Sequence, residues 1–254
     1  MATQGATTQG ATTQDAFLGG KVVLRQPALG YRAGQDPVLL AAAVAIAPGQ
    51  TFADLGCGAG PISLCLMARL RGHRLQAIAL EQDPDLAALA AQNAQENRID
   101  QLILHQADLF SQPPQPVDWA LSNPPFFGQR TGRLPTQAQR QAGRHATQNL
   151  STWVKAVAAW VRPRGRLGLI LHSAQIPEAM AALHPAFGGI TLLPLMGREG
   201  QASCERCLCL ARQGSRSPFQ LASPLTLRQA DGSLSAAAQA ILHEGAALPL
   251  PPIR

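Results

Sequence analysis

The stretch TFADLGCGAGPISLCLMARL, residues 51–70, reads as a strand, a glycine turn and a helix in immediate succession. Thr51–Leu55 supplies the strand and Ala59–Leu70 the helix. Between them, Gly56, Gly58 and Gly60 let the backbone turn tightly and approach a ligand closely. The alternation continues downstream. A strand at Leu75–Leu80 ends in Glu81, and Asp83-Pro84 opens a helix that runs to Asn97. A strand at Gln101–Ala107 ends in Asp108, and one at Val117–Leu121 runs into Ser122-Asn123-Pro124. A helix at Leu150–Val161 and a strand at Arg166–Leu171 follow, then a helix near Gln175–Leu183 and β-rich segments at Ile190–Met196 and Glu205–Ala211. This order predicts an α/β fold: a mostly parallel seven-stranded sheet with helices on both faces, closed by a C-terminal antiparallel strand pair. Polar residues fall at the C-terminal ends of consecutive strands, where open α/β sheets bind their ligands.

Upstream, residues 17–50 read as a lead-in. It holds a strand at Lys21–Arg25 and a helix at Asp36–Ala47, with Asp36 as N-cap and Pro37 at the first helical position. Residues 1–16 are a near-repeat of Ala-Thr-Thr-Gln-Gly with almost nothing to bury, and are expected to be a disordered tail. Residues 51–254 form the main domain, which ends in a short helix near Ser235–His243.

The chain has 254 residues, 46% of them hydrophobic, enough for one large core. No apolar run reaches the ~18 residues of a membrane span. The N-terminus lacks the basic and apolar regions of a secretory signal, so a cytoplasmic location is expected. Five closely clustered cysteines do not form a disulfide framework. Cys204, Cys207 and Cys209 have no second Cys or His pair beside them to complete a zinc site, and their segment reads as a half-buried strand; no metal is expected.

The net charge is +6 and unevenly placed. Residues 1–118 carry 7 basic and 10 acidic side chains, residues 119–254 carry 14 and 5, and no carboxylate occurs between Asp118 and Glu178. Such a basic half fits a polyanion, most simply nucleic acid, or else a solvated surface. Residues 123–149 read as a long loop, and its Arg130, Arg133, Arg140 and Arg144 are candidate phosphate contacts.

Three features carry chemistry. The glycine turn follows Asp54, and Glu81 ends the next strand, where a carboxylate can accept from two ribose hydroxyls. The third glycine of the dinucleotide fingerprint is missing, since positions 61 and 63 are Pro and Ser, which argues against a nicotinamide cofactor. Asp108 ends the third strand; it can accept from the exocyclic amine of an adenine, or serve as a turn residue. Finally, Ser122-Asn123-Pro124-Pro125-Phe126-Phe127 follows the fourth strand. The prolines fix the backbone and remove donors. The Asn123 side-chain oxygen and the Pro124 carbonyl can then face one planar amine, with Phe126 stacked on its π-system.

This set resembles the class I S-adenosylmethionine-dependent methyltransferases that act on amino groups, with their Rossmann-like sheet. The lead-in Leu24-Arg25-Gln26-Pro27, Gly30-Tyr31-Arg32 and Asp36-Pro37-Val38-Leu39-Leu40 is similar to that of the bacterial tRNA(Val) adenine-37 N6-methyltransferase family, as are Gly197-Arg198-Glu199-Gly200 and Pro224-Leu225-Thr226-Leu227. The resemblance implies S-adenosyl-L-methionine as cofactor and the exocyclic N6 of a tRNA adenine as target. It implies that Gly56, Gly58 and Gly60 approach the methionine part of the cofactor with Asp54 nearby, that Glu81 binds its ribose and that Asp108 contacts its adenine. Asn123 and Pro124 would hold the target amine, Pro125 belongs to the same catalytic motif, and Phe126 would stack on the base. Two other functions remain open. A protein glutamine N5-methyltransferase meets the same motif with a conjugated amide, though that branch usually has Tyr where this chain has Phe126 and a helical domain before the glycine turn. A non-catalytic RNA-binding protein on the same fold is the other.

Overall fold

The computed structural model describes residues 11–29, 32–125 and 149–250. Two short strands open the chain, β1 (Thr12–Phe17) and β2 (Val22–Pro27), paired antiparallel from Thr12 opposite Pro27 to Phe17 opposite Val22. The expectation of a disordered tail through residue 16 is therefore corrected for residues 12–16. Strand pairing uses backbone groups and needs no apolar side chains. The strand is also held through Asp15, which accepts from Arg32 at 2.6 Å and from the Gln26 amide at 2.8 Å.

Helix α1 (Asp36–Ala43) follows, with Gln35 rather than Asp36 at the N-cap. It stops four residues short of the expected end, because the Arg69 guanidinium takes the Ala41 and Val44 carbonyls that further turns would have used. Next come β3 (Thr51–Leu55), α2 (Pro61–Arg69), β4 (Gln76–Glu81), α3 (Pro84–Glu96), β5 (Leu102–Gln106) and β6 (Val117–Ser122). After residue 149 the chain continues through α4 (Leu150–Ala158), β7 (Val161–His172), α5 (Ile176–Leu183), β8 (Phe187–Met196) and β9 (Arg206–Gln213). Two-residue strands β10 (Gln220–Leu221) and β11 (Leu225–Thr226) pair with β8, and a short helix α6 (Ala236–Gln239) follows.

The sheet order is β10-β8-β9-β7-β6-β3-β4-β5. Strands β3 to β7 are parallel, and β9 runs antiparallel between β7 and β8. The seven long strands are those expected, and β10 and β11 extend the edge. β7 starts five residues early because it bulges: Val161 pairs with Val117 but the next pair is Arg166 with Trp119.

Alternate residues of the central strands feed two cores. Phe52, Trp119 and Leu121 pack with Leu39 of α1 and Ile62 of α2, whereas Ala53, Leu55 and Ala120 face Val154 of α4 and Leu183 of α5. Because both faces are covered, β6 is buried at all six positions. β9 is buried from Cys207 to Ala211, where a half-buried strand was expected.

Candidate cofactor and target site

The chain adds β4 and β5 on one side of β3, then crosses back to lay β6 on the other side. That reversal opens a crevice at the C-terminal ends of β3 and β6, the place where doubly wound sheets hold ligands. The glycine turn leaves β3 there, and Asn123-Pro124 leaves β6.

The turn is pinned from one side by the end of β4. Leu80 O accepts from Gly56 N at 2.9 Å and Cys57 N at 3.0 Å, and Glu81 Oε2 accepts from Gly58 N at 2.8 Å. The other oxygen of Glu81 accepts from Asp83 N at 2.9 Å. Burial raises the pKa of Glu81 against the pull of these bonds. From the other side, the first turn of α2 holds Asp54, whose Oδ2 accepts from Ser63 N at 3.1 Å and Ser63 Oγ at 2.8 Å. Asp54 is completely buried. Desolvation pushes its carboxyl up to about 7 despite the Ser63 bonds, with Glu81 adding to the rise. Among the described residues its Oδ1 has no hydrogen-bond partner.

Gly60 caps α2 at φ 87°, a conformation that favours glycine. A Cβ on Gly58 would meet nothing within 4 Å, so that part of the turn faces open space. Gly56 is different: its Cβ would lie 2.8 Å from Trp153 Cζ2. Trp153, on α4, is braced by donating to Ser122 Oγ at 3.0 Å, and Ser122 Oγ in turn donates to Leu55 O at 2.7 Å. The ends of β3 and β6 are thus joined beneath the crevice.

Asn123 is half-buried and lines a cleft with Gly56 and Gly58; Pro124 is buried and Pro125 half-buried. The lead-in also lines it, through Gln26, Pro27 and Pro37. Reasoning from sequence gave these lead-in residues no site role. The only signal was their place in a stretch with family resemblance.

The end of β4 thus joins Gly56, Gly58 and Glu81 in one hydrogen-bonded web, Ser63 holds Asp54 beside it, and Asn123 lines the cleft with the two glycines. Asp108 stands apart from that web at the end of β5. Its Oδ1 accepts from Phe110 N at 3.1 Å and its carbonyl from Ser111 N, the local pattern of a turn residue. Phe126 and Arg130, Arg133, Arg140 and Arg144 lie outside the described residues. Among the described residues no group of three or more His, Cys, Asp or Glu side chains is placed to hold a metal. No helix among them is long and apolar enough to cross a membrane.

A doubly wound sheet with a glycine turn, an acidic second strand and Asn-Pro-Pro at the switch point defines the fold of the class I methyltransferases. The chain belongs to the methyltransferase small domain family, whose family model matches residues 36–190. It is 32% identical over 165 residues to the tRNA1(Val) (adenine(37)-N6)-methyltransferase of Musicola paradisiaca, covering 63% of this chain and 65% of that protein. It is 27% identical over 152 residues to the enzyme of that name from Haemophilus influenzae, covering 58% and 64%. The chain therefore spans just under two thirds of the length of those two relatives. With that of Shewanella loihica it shares 30% identity over 238 residues, covering 84% of this chain and 90% of the relative. Among solved structures, a predicted O-methyltransferase from Agrobacterium tumefaciens superposes with a TM-score of 0.70 at 22% identity, over 84% of this chain and 98% of that one. A protein from Listeria monocytogenes described as a class I S-adenosylmethionine-dependent methyltransferase gives 0.54 at 16% identity, over 74% and 62%. These two likenesses carry the fold.

Proposed function

We infer that this protein transfers a methyl group from S-adenosylmethionine to the exocyclic N6 of an adenine in tRNA, in the cytoplasm. The observation that carries the reading is the cleft that brings the glycine turn of β3 and Asn123 of β6 to one switch point. The names of the relatives favour an anticodon-loop adenine as the target.

The residues present fit the cofactor. A buried carboxyl oxygen of Asp54 without a partner suits an ammonium group. Glu81 keeps lone-pair capacity for a ribose hydroxyl beyond the backbone N–H groups, Gly58 and Asp83 among them, that it accepts from. The open space at Gly58 admits a ligand against the backbone. Asp108 would reach the adenine through the oxygen not used by Phe110.

When bound, S-adenosylmethionine supplies an electrophilic methyl group on a positively charged sulfur. The Asn123 side-chain oxygen and the Pro124 carbonyl accept the hydrogens of the target amine and orient its lone pair. Those bonds strengthen as the nitrogen gains positive charge. Pro125 keeps the turn rigid and Phe126 stacks on the base, which must be splayed out of the RNA stack to enter. Positioning supplies most of the rate. Arg130, Arg133, Arg140 and Arg144, in the segment joining Pro125 to Asn149, would contact phosphates.

The test gives the purified protein labelled S-adenosylmethionine with, separately, unmodified tRNA, ribosomal RNA and cell protein. Label in N6-methyladenosine from tRNA, lost in Asn123→Ala while cofactor binding persists, is the expected result. Label in the protein fraction would move the reading to a glutamine amide. Cofactor binding without transfer to any substrate would overturn it. For the arginines, neutralising all four should flatten the salt dependence of RNA affinity; an unchanged slope would remove them from the interface.

A further inference from the structure

Outside that web, two buried asparagines, Asn93 on α3 and Asn97 at its C-cap, hold the lead-in. Asn93 is completely buried. Its Oδ1 accepts from Arg25 N at 2.8 Å, and its Nδ2 donates to Arg25 O at 2.8 Å and to Ala59 O at 2.9 Å. One turn later, Asn97 Oδ1 accepts from Val23 N at 2.9 Å, and its Nδ2 donates to Val23 O at 2.7 Å and Asn93 O at 2.8 Å. β2 has β1 on one edge. On the other edge, where a third strand would pair, it meets these two amides instead. The spacing allows it: four helical residues advance about 6 Å and two strand residues about 6.6 Å. Each amide presents one acceptor and one donor to one residue of β2, as a neighbouring strand would.

The two asparagines are not equivalent. Asn97 grips the lead-in and its own helix. Asn93 grips the lead-in and, through the second hydrogen of the same amide, the glycine turn at Ala59. Ala59 and Gln26, the residue after Arg25, both line the cleft.

We propose that Asn93 is a positioning residue that ties the lead-in wall of the cleft to the glycine turn, so that the two walls keep one spacing around the methyl donor. This rests on the reading of the cleft as the cofactor site. Asn97 anchors the lead-in without reaching the turn. With the donor bound, ordering of one wall is thereby transmitted to the other through a single amide group.

The experiment compares Asn93→Ala with Asn97→Ala, which each delete three hydrogen bonds of a buried amide and so serve as a stability-matched pair. Hydrogen exchange on the full-length protein without ligand should rise at residues 22–27 in both variants, but at residues 56–60 in Asn93→Ala alone. The dissociation constant for S-adenosylmethionine, by calorimetry, should rise about tenfold in Asn93→Ala and stay within about twofold in Asn97→Ala, although both lose similar thermal stability. Should Asn93→Ala not fold, Asn93→Ser keeps a small polar group and follows the same comparison. Equal effects of the two variants on the glycine turn and on affinity would overturn the assignment, as would an unchanged turn in Asn93→Ala. A wild-type protein that does not bind S-adenosylmethionine would instead overturn the cofactor reading, and the exchange data would still decide the coupling.

Discussion

The indole of Trp153 lies directly beneath Gly56, so close that a methyl group on the glycine would sit 2.8 Å from Cζ2. Gly56 also has φ 74°. Gly56→Ala therefore meets two penalties, a left-handed backbone costing about 1–2 kcal/mol and overpacking costing about 1–3 kcal/mol. Gly58→Ala, at φ 57° with nothing within 4 Å, meets only the first. Urea denaturation should rank Gly56→Ala as the more destabilised. In a Trp153→Phe background Gly56→Ala should cost less than in the wild type. Equal losses at the two glycines would mean that the indole is not the obstacle.

Asp54 predicts a pH dependence with a definite sign. Its folded pKa of about 7 lies above the ordinary 3.8, because burial disfavours the ionised form. Between those values the folded state holds a proton that the unfolded state has released. Stability therefore falls as pH rises through that window and levels off above it, by on the order of 4 kcal/mol. Urea midpoints at pH 5 and pH 8 should differ more for the wild type than for Asp54→Asn, which keeps an acceptor for Ser63 but does not titrate. Parallel profiles for the two proteins would refute this.

Asp118 separates stability from binding. It is the second residue of the central strand β6 and accepts from Thr51 N at 3.0 Å, Thr51 Oγ at 3.1 Å and Gln50 Nε2 at 3.0 Å, and it pairs with Arg162. Asp118→Ala orphans these donors and should cost about 2–4 kcal/mol. It lies at the far end of the strand from Asn123, about 17 Å away at 3.3 Å per residue, so affinity for S-adenosylmethionine should be unchanged in the folded variant. A large loss of affinity would connect the two ends of β6 in a way the hydrogen bonds do not.

The five cysteines are all free thiols, and only Cys204 is part-exposed. Burial pushes Cys65, Cys207 and Cys209 up to about 12 and Cys57 well above its ordinary value. A thiol reagent at pH 8 should therefore label Cys204 alone in the native protein and the other four only after unfolding. Rapid native labelling of Cys207, whose sulfur is 3.8 Å from that of Cys204, would show that β9 opens locally.

The order of strands and helices was legible because its signals are local. Thr51–Leu55 with its glycine turn, the Asp83-Pro84 helix start and the polar residues ending each strand lie within a few residues of what they specify. A parallel α/β alternation then leaves few topologies, and the crevice falls at the strand ends in all of them. Where a local motif had two outlets the sequence did not choose: the carboxylate of Asp108 is engaged in a turn, as aspartates at strand ends commonly are.

What the sequence by itself determined, then, is the sheet, its glycine turn and the arrival of Asn123-Pro124 at a strand end, since periodicity and turn chemistry act over short spans. The tertiary structure alone decided that Thr12–Phe17 is a strand, that Trp153 underlies Gly56 and that the lead-in walls the cleft. These depend on pairs such as Arg25 with Asn93, 68 residues apart, and Trp153 with Ser122, 31 apart. Backbone groups are the same in every residue, so no pattern of side chains announces that Val23 and Arg25 will be met by two asparagine amides rather than by a strand. That choice is made when the chain has folded and every buried N–H and C=O must find a partner.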